Sequence, residues 1–405
     1  MQASHPTVML PSLEVDNVYI YIADAVRADF SPGRVTNRGC SVPTISSGIH
    51  SPTSISSIIS GTYLPQHQVQ DFADTLPADV PNLLDVENIE AGFANTMNDV
   101  RFDPGGSEDI IANTLDIDSG PPELLERIES PFVFVERGPG GHAPYVEKHE
   151  LDTGKNYFED RGSASRSLFA SEYTEAVEED ADWFLDRLEL LDARGLLDDT
   201  LVIYTSDHGE MLGESGMQSH SPPIHPRHVY VPTVFIHPEL SVMSAPGGVA
   251  RHVDIAPTAA SLLDIDWETP IKPVGRDLSS RTLAETGASF YANERSTPVG
   301  NMNIGFDSVW DRTGGYVFPK SGIVSRFLLA GYHLSRAPWR SYAREHALEH
   351  VAFKIRGQRT HWSPALSEEA ARKSLDQIEQ RESGTVDEAA NEVPVDRLKE
   401  LGYME

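Results

Sequence analysis

The sequence predicts an α/β fold with a mostly parallel central sheet flanked by helices and a small C-terminal α+β appendage. Three observations carry this. Short apolar runs rich in β-branched and aromatic residues recur at 17–24, 131–138, 200–206 and 231–238. Between them lie stretches with helical spacing of apolar residues, at 51–60 and 171–199. Two of the apolar runs close on an acid, Asp24 and Asp207. Strands alternating with helices build a parallel sheet through right-handed crossovers. Such sheets bind ligands beyond the carboxyl ends of their strands.

The first run, "NVYIYIAD" (17–24), reads as a buried strand. An acid at its end is costly unless it is paired or binds a cation. Asp24 caps the next turn in one reading and holds a metal in the other; Arg27 and Asp29 offer a structural ion pair nearby. "HSPTSISSIISG" (50–61) places Ile55, Ile58 and Ile59 at offsets of three and four, a helix face with Gly61 as its stop. "GFANTMN" (92–98) suggests a further strand, and "PFVFVERG" (131–138) a buried one. The stretch 171–199 is an amphipathic helix, with Val177, Ala181, Phe184, Leu188 and Leu191 on its apolar face. "TLVIYTSDHGE" (200–210) is a strand ending in acid and histidine, "VPTVFIHP" (231–238) a strand, and "DIAPTAASLLDI" (254–265) a helix start. After about residue 285 the pattern weakens. Strands around Gly314-Gly315, a helix over 342–357 and a charged tail are expected there. The chain is thereby divided into a larger α/β domain at 1–285 and a smaller C-terminal subdomain and tail at 286–405.

Composition bounds the function. The chain has 405 residues, 39% of them hydrophobic, enough for a large core. Its net charge is −30, from 62 acids against 32 bases, and only seven of the bases are lysine. Acidic excess with few lysines and no acidic block fits a halophilic surface, a matter of solubility. It argues against nucleic acid as a partner, because phosphates need a basic stripe. Cys40 is the single cysteine, so neither an intrachain disulfide nor a Cys-based zinc site is available, and it reads as a small buried hydrophobe. No run nears the roughly 18 apolar residues of a membrane helix, and the N-terminus lacks the pattern of a secretory signal. No membrane span and a cytoplasmic location are expected.

Asp207 and His208 stand together where a strand turns into a loop. Carboxylate plus imidazole suits Mg, Mn or Zn, and additional oxygens favour Ca. The structural alternative is a capped turn with a surface histidine. Ser51, Thr53 and Ser54 crowd the start of the Ser-rich helix, where backbone N–H groups and the dipole favour an anion. The structural alternative there is a plain N-cap.

Taken in order, these segments resemble the alkaline phosphatase/sulfatase superfamily. Strand–Asp24 comes first, then a hydroxyl-bearing helix start ending in Ser60-Gly61, then "SDHG" (206–209). "GTYLPQHQV" (61–69), "GGHAPY" (140–145), "YVPTVFIHP" (230–238), "HVDIAPT" (252–258) and "GRDL" (275–278) agree with further family motifs, and the likeness spans roughly 15–280. The resemblance implies that Ser51, ten residues before Gly61, is the nucleophile. It implies that Asp24, Ser51, Asp207 and His208 hold one divalent metal ion, and that His142 and His220 face the substrate. It departs from the pattern at the modification motif, where Thr53 replaces a proline and Ile55 an arginine, so formylglycine at Ser51 is not expected. Ala25 follows Asp24 where many sulfatases carry a second Asp. His225 and His228 are expected to be exposed loop histidines, and His237 and His252 structural.

The function so implied is a sulfatase-like, metal-dependent hydrolase of sulfate or phosphate esters, small-molecule or glycan. The alternatives are a phospho-alcohol transferase or phosphodiesterase of the same superfamily, and a non-catalytic metal- or anion-binding protein.

Overall fold

A computed structural model describes residue 10 and residues 13–97, 109–146, 153–297, 300–356 and 358–378. The central sheet has eight strands. They are β1 (Asn17–Ala23), β2 (Cys40–Ile45), β3 (Glu90–Ala94), β4 (Phe132–Gly138), β5 (Thr200–Ser206), β6 (Tyr230–Ile236) and the short β7 (Met243–Ser244) and β8 (Ala250–Arg251). Their order is β8-β2-β6-β5-β1-β4-β3, with β7 also on β2. Only the two pairings of β6, with β2 and with β5, are antiparallel. The expected mostly parallel α/β architecture is the observed one.

Side-chain parity sets the two faces. In β1, Val18, Ile20 and Ile22 pack with Ile55, Ile58 and Ile59 of helix α1 (Ser51–Ser60) and with Ile255 of α3 (Ile255–Leu262). Tyr19, Tyr21 and Ala23 turn the other way, onto Tyr173, Phe184 and Leu188 of α2 (Arg166–Ala193). Strands with both faces covered read as continuous apolar runs, as here. Helix α1 ends on Gly61 at φ +70, the left-handed cap for which glycine carries no Cβ penalty. Helix α2 begins five residues before the expected stretch, with Ser165 accepting from the Leu168 N–H as its cap, and ends at Ala193.

The strand β2, "CSVPTI", gave no alternating signal because Pro43 interrupts it, yet it pairs in the sheet interior between β6 and β8. Cys40 on this strand is buried and unbridged.

A second sheet has four antiparallel strands in the order β9 (Gly287–Thr297), β10 (Gly300–Asp311), β11 (Gly314–Pro319) and β12 (Arg359–Trp362). Helices α4 (Ile323–Ser335), α5 (Arg340–Glu345) and α6 (Ala347–Ile355) lie between β11 and β12, and α7 (Glu368–Asp376) follows. The expected helix over 342–357 is thus two helices, broken at His346. An isolated bridge from Gly48 to Phe290 ties the two sheets together beside the start of α1. The charged tail past residue 378 lies outside the described residues. Among the described residues no helix is long and apolar enough to cross a membrane.

Candidate active site

The same parity that builds the core aims the polar groups. Asp24 follows β1 on the side of Val18, Ile20 and Ile22. Asp207 follows β5 on the side of Leu201 and Ile203. Arg137 continues β4 beyond Val133 and Val135. All three apolar stripes face α1, whose first residue is Ser51. The carboxyl ends of β1, β4 and β5 lie in register, with Ala23 beside both Gly138 and Ser206.

Backbone contacts fix each acid. Gly140, at φ +53, approaches Asp24 so closely that a Cβ there would meet the Asp24 carbonyl oxygen at 1.9 Å. Gly141 N–H donates to that oxygen at 2.7 Å. Asp207 Oδ1 accepts from the N–H groups of Ala25 at 2.9 Å and His208 at 2.8 Å. Ser46 Oγ donates to the Asp207 carbonyl at 2.6 Å, tying the strand end to the loop before α1. His252 supports this joint, accepting from Ser47 N–H at 3.2 Å and donating to Ser206 O at 2.9 Å. Its expected structural role is therefore the one its contacts serve.

Asp24, Asp207 and His208 each offer a ligand atom, all within 4.8 Å of one another, and all three residues are fully buried. Two of the carboxylate oxygens, Asp24 Oδ1 and Asp207 Oδ2, are buried without a hydrogen-bond partner. His208 Nδ1 lies 3.1 Å from the Gly209 carbonyl, which can only accept, so Nε2 keeps its lone pair. Two orphaned carboxylate oxygens and one imidazole lone pair converging in a dry site fit a divalent cation. The ion's identity is left open by this donor set.

Ser51 Oγ lies 3.4 Å from Asp24 Oδ2 and 3.4 Å from His208 Nε2. Ser51 is not the helix cap. His50 holds that position and makes no side-chain cap bond, so the first-turn N–H groups of Ser51 and Thr53, Pro52 having none, are left without a side-chain cap. The neighbouring hydroxyls are engaged elsewhere: Thr53 donates to Val69 O at 3.0 Å, and Ser54 pairs with Ser46 Oγ at 3.3 Å.

Arg137 is a site residue that the sequence reading missed. Its Nε donates to Asp24 Oδ2 at 3.0 Å, Nη2 reaches the same oxygen, and Nη2 also lies 3.3 Å from Ser51 Oγ. Its signal was a charged residue at the end of a buried strand, on the parity that Val133 and Val135 set. Burial alone would raise the Asp24 carboxyl. The charge and hydrogen bonds of Arg137 oppose burial, and the carboxyl lies below its ordinary range. Asp207 is raised, by burial and then by the charge of Asp24.

His142 and His220 form the opposite wall. The His220 ring lies tilted, 4.4 Å from that of His208 and 5.8 Å from that of His142. Burial depresses both, His142 to about 4 and His220 well below its usual value, so both are neutral imidazoles at neutral pH. His142 Nδ1 sits 2.7 Å from Ala143 O, which can only accept, so in the neutral ring the lone pair lies on Nε2. His220 Nδ1 sits 3.4 Å from Glu210 Oε2. Glu210, also missed, is buried and its carboxyl is pushed well up by desolvation and then by Asp24.

The Pro-rich loop was expected to expose its histidines. His228 is instead wholly buried and His225 partly so. The cause is topological. Because β6 runs antiparallel to β5, residues 207–229 leave and rejoin the sheet at one edge and fold over the site. His350 Nδ1, 3.1 Å from Gly216 O, and Tyr342 OH, donating to Gly213 O at 3.2 Å, pin that segment from outside.

A family model described as Sulfatase matches residues 113–265, the part that carries His142, Asp207, His208 and His220. The low-salt glycan biosynthesis sulfotransferase Agl7 of Haloferax volcanii is 31% identical across 96% of each chain. Among solved structures, the fold is similar to a phosphonate monoester hydrolase of Agrobacterium radiobacter, at TM-score 0.56 and 13% identity over 83% of this chain and 96% of that one. It is likewise similar to a putative sulfatase of Bacteroides thetaiotaomicron, at TM-score 0.56 and 15% identity over 76% of this chain and 83% of that one.

Proposed function

Because the chain belongs to the sulfatase family of the alkaline phosphatase/sulfatase superfamily, we propose that it is a metal-dependent hydrolase of sulfate or phosphate esters. Ser51 is its nucleophile, and Asp24, Asp207 and His208 hold one divalent ion. The observation that carries this reading is the position of Ser51 Oγ. It stands 3.4 Å from both Asp24 Oδ2 and His208 Nε2, at an uncapped helix start, beside two orphaned carboxylate oxygens. When bound, the ion lowers the pKa of the serine hydroxyl and polarises the ester oxygen.

The protein groups supply the rest. The N–H groups of Ser51 and Thr53 in the first turn of α1 hold oxygens of the sulfuryl or phosphoryl group. Ser51 Oγ forms a bond to sulfur or phosphorus as the ester oxygen leaves with a proton. Arg137 Nη2, 3.3 Å from Ser51 Oγ, favours the alkoxide over the hydroxyl. His142 Nε2 is a neutral acceptor, placed to take a proton from the water that then attacks the covalent intermediate. An anionic substrate beside His220 favours its protonated form, which suits it to protonate the leaving group.

The Haloferax relative favours a second reading, since it is named for sulfotransfer in glycan biosynthesis. The first half-reaction is the same there, and a sugar hydroxyl replaces water in the second. One experiment separates the readings. Purified protein is given aryl sulfate, aryl phosphate and bis-aryl phosphate, each with Mg, Mn, Ca or Zn, with and without a sugar acceptor. Metal-dependent aryl alcohol release without acceptor supports hydrolysis. Release only with acceptor supports transfer. Release on none of the three, with no bound metal, overturns both.

A further inference from the structure

Helix α4 carries apolar residues on its solvent face as well as on its buried one. Arg326, Leu329, Ala330 and His333 face inward, while Ile323, Val324, Phe327 and Leu328 face solvent, Val324 at 68% exposure. The exposed set follows helical spacing and continues to Gly331, which has open space around its Cα. Helix α6 packs antiparallel beside α4: Arg326 Nη1 donates to Arg356 O at 2.8 Å, and the His333 and His350 rings lie 5.7 Å apart. It adds Leu348, 91% exposed, and the exposed Ala352 one turn later. Isolated exposed apolar residues need no explanation, but a stripe across two adjacent helices does.

The charge of this region is opposite to that of the molecule. Residues 320–359 hold eight of the chain's 32 Lys and Arg but only two of its 62 Asp and Glu. Of these bases, Arg326, Lys354 and Arg359 are buried, while Lys320, Arg336, Arg344 and Arg356 are exposed against the exposed Glu345 and Glu349, so the surface itself keeps a basic excess. An apolar stripe flanked by bases, on a chain of net charge −30, is the pattern of a helix that lies in a membrane interface.

We propose that the α4–α6 face is a docking surface for an anionic lipid bilayer. Charge decides the occupant. A symmetric pair of this chain would set basic faces against each other. A head-to-tail pair would set the stripe on an acidic surface where, among the described residues, the other exposed large apolar residues are Leu168, the adjacent Val242 and Met243, Val274 and Trp362, scattered over different elements. A bilayer with anionic headgroups meets both requirements at once, apolar depth for Phe327 and Leu328 and negative charge for the arginines, whose stems reach up to it. Docking there would set the bilayer one layer from the 207–229 segment, which α5 and α6 hold over the site.

The test is co-sedimentation of the purified full chain with vesicles of phosphatidylglycerol or of phosphatidylcholine, at about 0.1 M and about 1 M salt. The expected result is binding to phosphatidylglycerol vesicles at the lower salt, about tenfold over phosphatidylcholine, and weaker at the higher salt. The F327E/L328E variant, at exposed positions, should lose about tenfold in partition while its thermal midpoint stays unchanged. R336E/R344E should lose the preference for anionic lipid. Equal binding to both vesicles, no binding, or binding untouched by F327E/L328E would overturn the proposal. So would a dimer in light scattering that F327E/L328E dissociates, since a second copy would then occupy the face.

Discussion

Asp24 and Arg137 stand at the ends of neighbouring parallel strands, and their buried ion pair uses one carboxylate oxygen and leaves the other. Arg137 occupies Asp24 Oδ2, so Oδ1 alone remains for a cation. The guanidinium also keeps Asp24 ionised in a place where burial favours the neutral acid.

Replacing Arg137 by methionine keeps volume and removes the charge. The Asp24 carboxyl should then rise, because burial is no longer opposed by its main counterweight. Metal uptake requires the ionised form, so the pH at which metal binds by half should move up. Turnover of a saturating ester should fall by about a hundredfold, the scale of losing one donor to a developing oxyanion. Isothermal titration across pH, beside a rate profile, checks both.

Ser51→Ala should reduce turnover by at least about a thousandfold without preventing metal binding, since the proposed nucleophile is lost while the proposed ligands Asp24, Asp207 and His208 remain. Intact-mass measurement of the Ser51 peptide should match the unmodified serine. A peptide lighter by two hydrogens would identify formylglycine and replace the serine alkoxide in the reaction.

Asp207→Asn separates stability from binding. The amide oxygen can still accept from Ala25 and His208, so the turn is kept. The orphaned, buried negative charge disappears. Without metal, the variant should melt higher than the wild type, because an uncompensated buried carboxylate costs stability. Added metal should raise the wild-type midpoint and leave that of the variant in place, with affinity down by at least about tenfold. Differential scanning fluorimetry over a metal titration reads both.

Acid should destabilise the fold through its buried neutral histidines. His67 accepts from Val69 N–H at 3.1 Å through Nδ1, and its Nε2 lies 3.1 Å from Ser57 Oγ. Burial holds it at about 3 against an ordinary value of 6.5. Between those values the unfolded chain binds the proton and the folded one does not, so stability rises with pH there and falls on acidification. Above pH 6.5 this contribution is complete. Urea midpoints measured from pH 7 down to pH 4 should drop less steeply in His67→Gln, by an amount on the order of a few kcal/mol over the range.

Much of this site was legible before any coordinates. The apolar runs 17–24 and 200–206 could only be buried strands, and an acid closing each had to sit at one sheet edge. Ser51 was reached through family spacing, since local chemistry left Thr53 and Ser54 as rivals. Their bonds to Val69 O and Ser46 Oγ are long-range facts that no local pattern carries. Arg137 and Glu210 escaped because a charged residue inside a motif reads as solvated until burial is known. Strand β2 escaped because Pro43 breaks its alternation, and the reversed β6 because a sequence gives strand direction only through connection lengths. The outward apolar stripe of α4 has the periodicity of a core helix, so no reading of periodicity alone tells which way it faces.

The reversed course of β6 has a consequence for how such a catalyst changes over time. Everything between His208 and the return at Tyr230 is a single excursion with both feet on the same rim. It can lengthen, shorten or be exchanged for another stretch without altering one rung of the sheet beneath. The strand ends that carry Asp24, Arg137 and Asp207 are therefore insulated from most of the segment above them, and the two can drift at different rates, with Glu210 and His220 the site residues that travel with the segment.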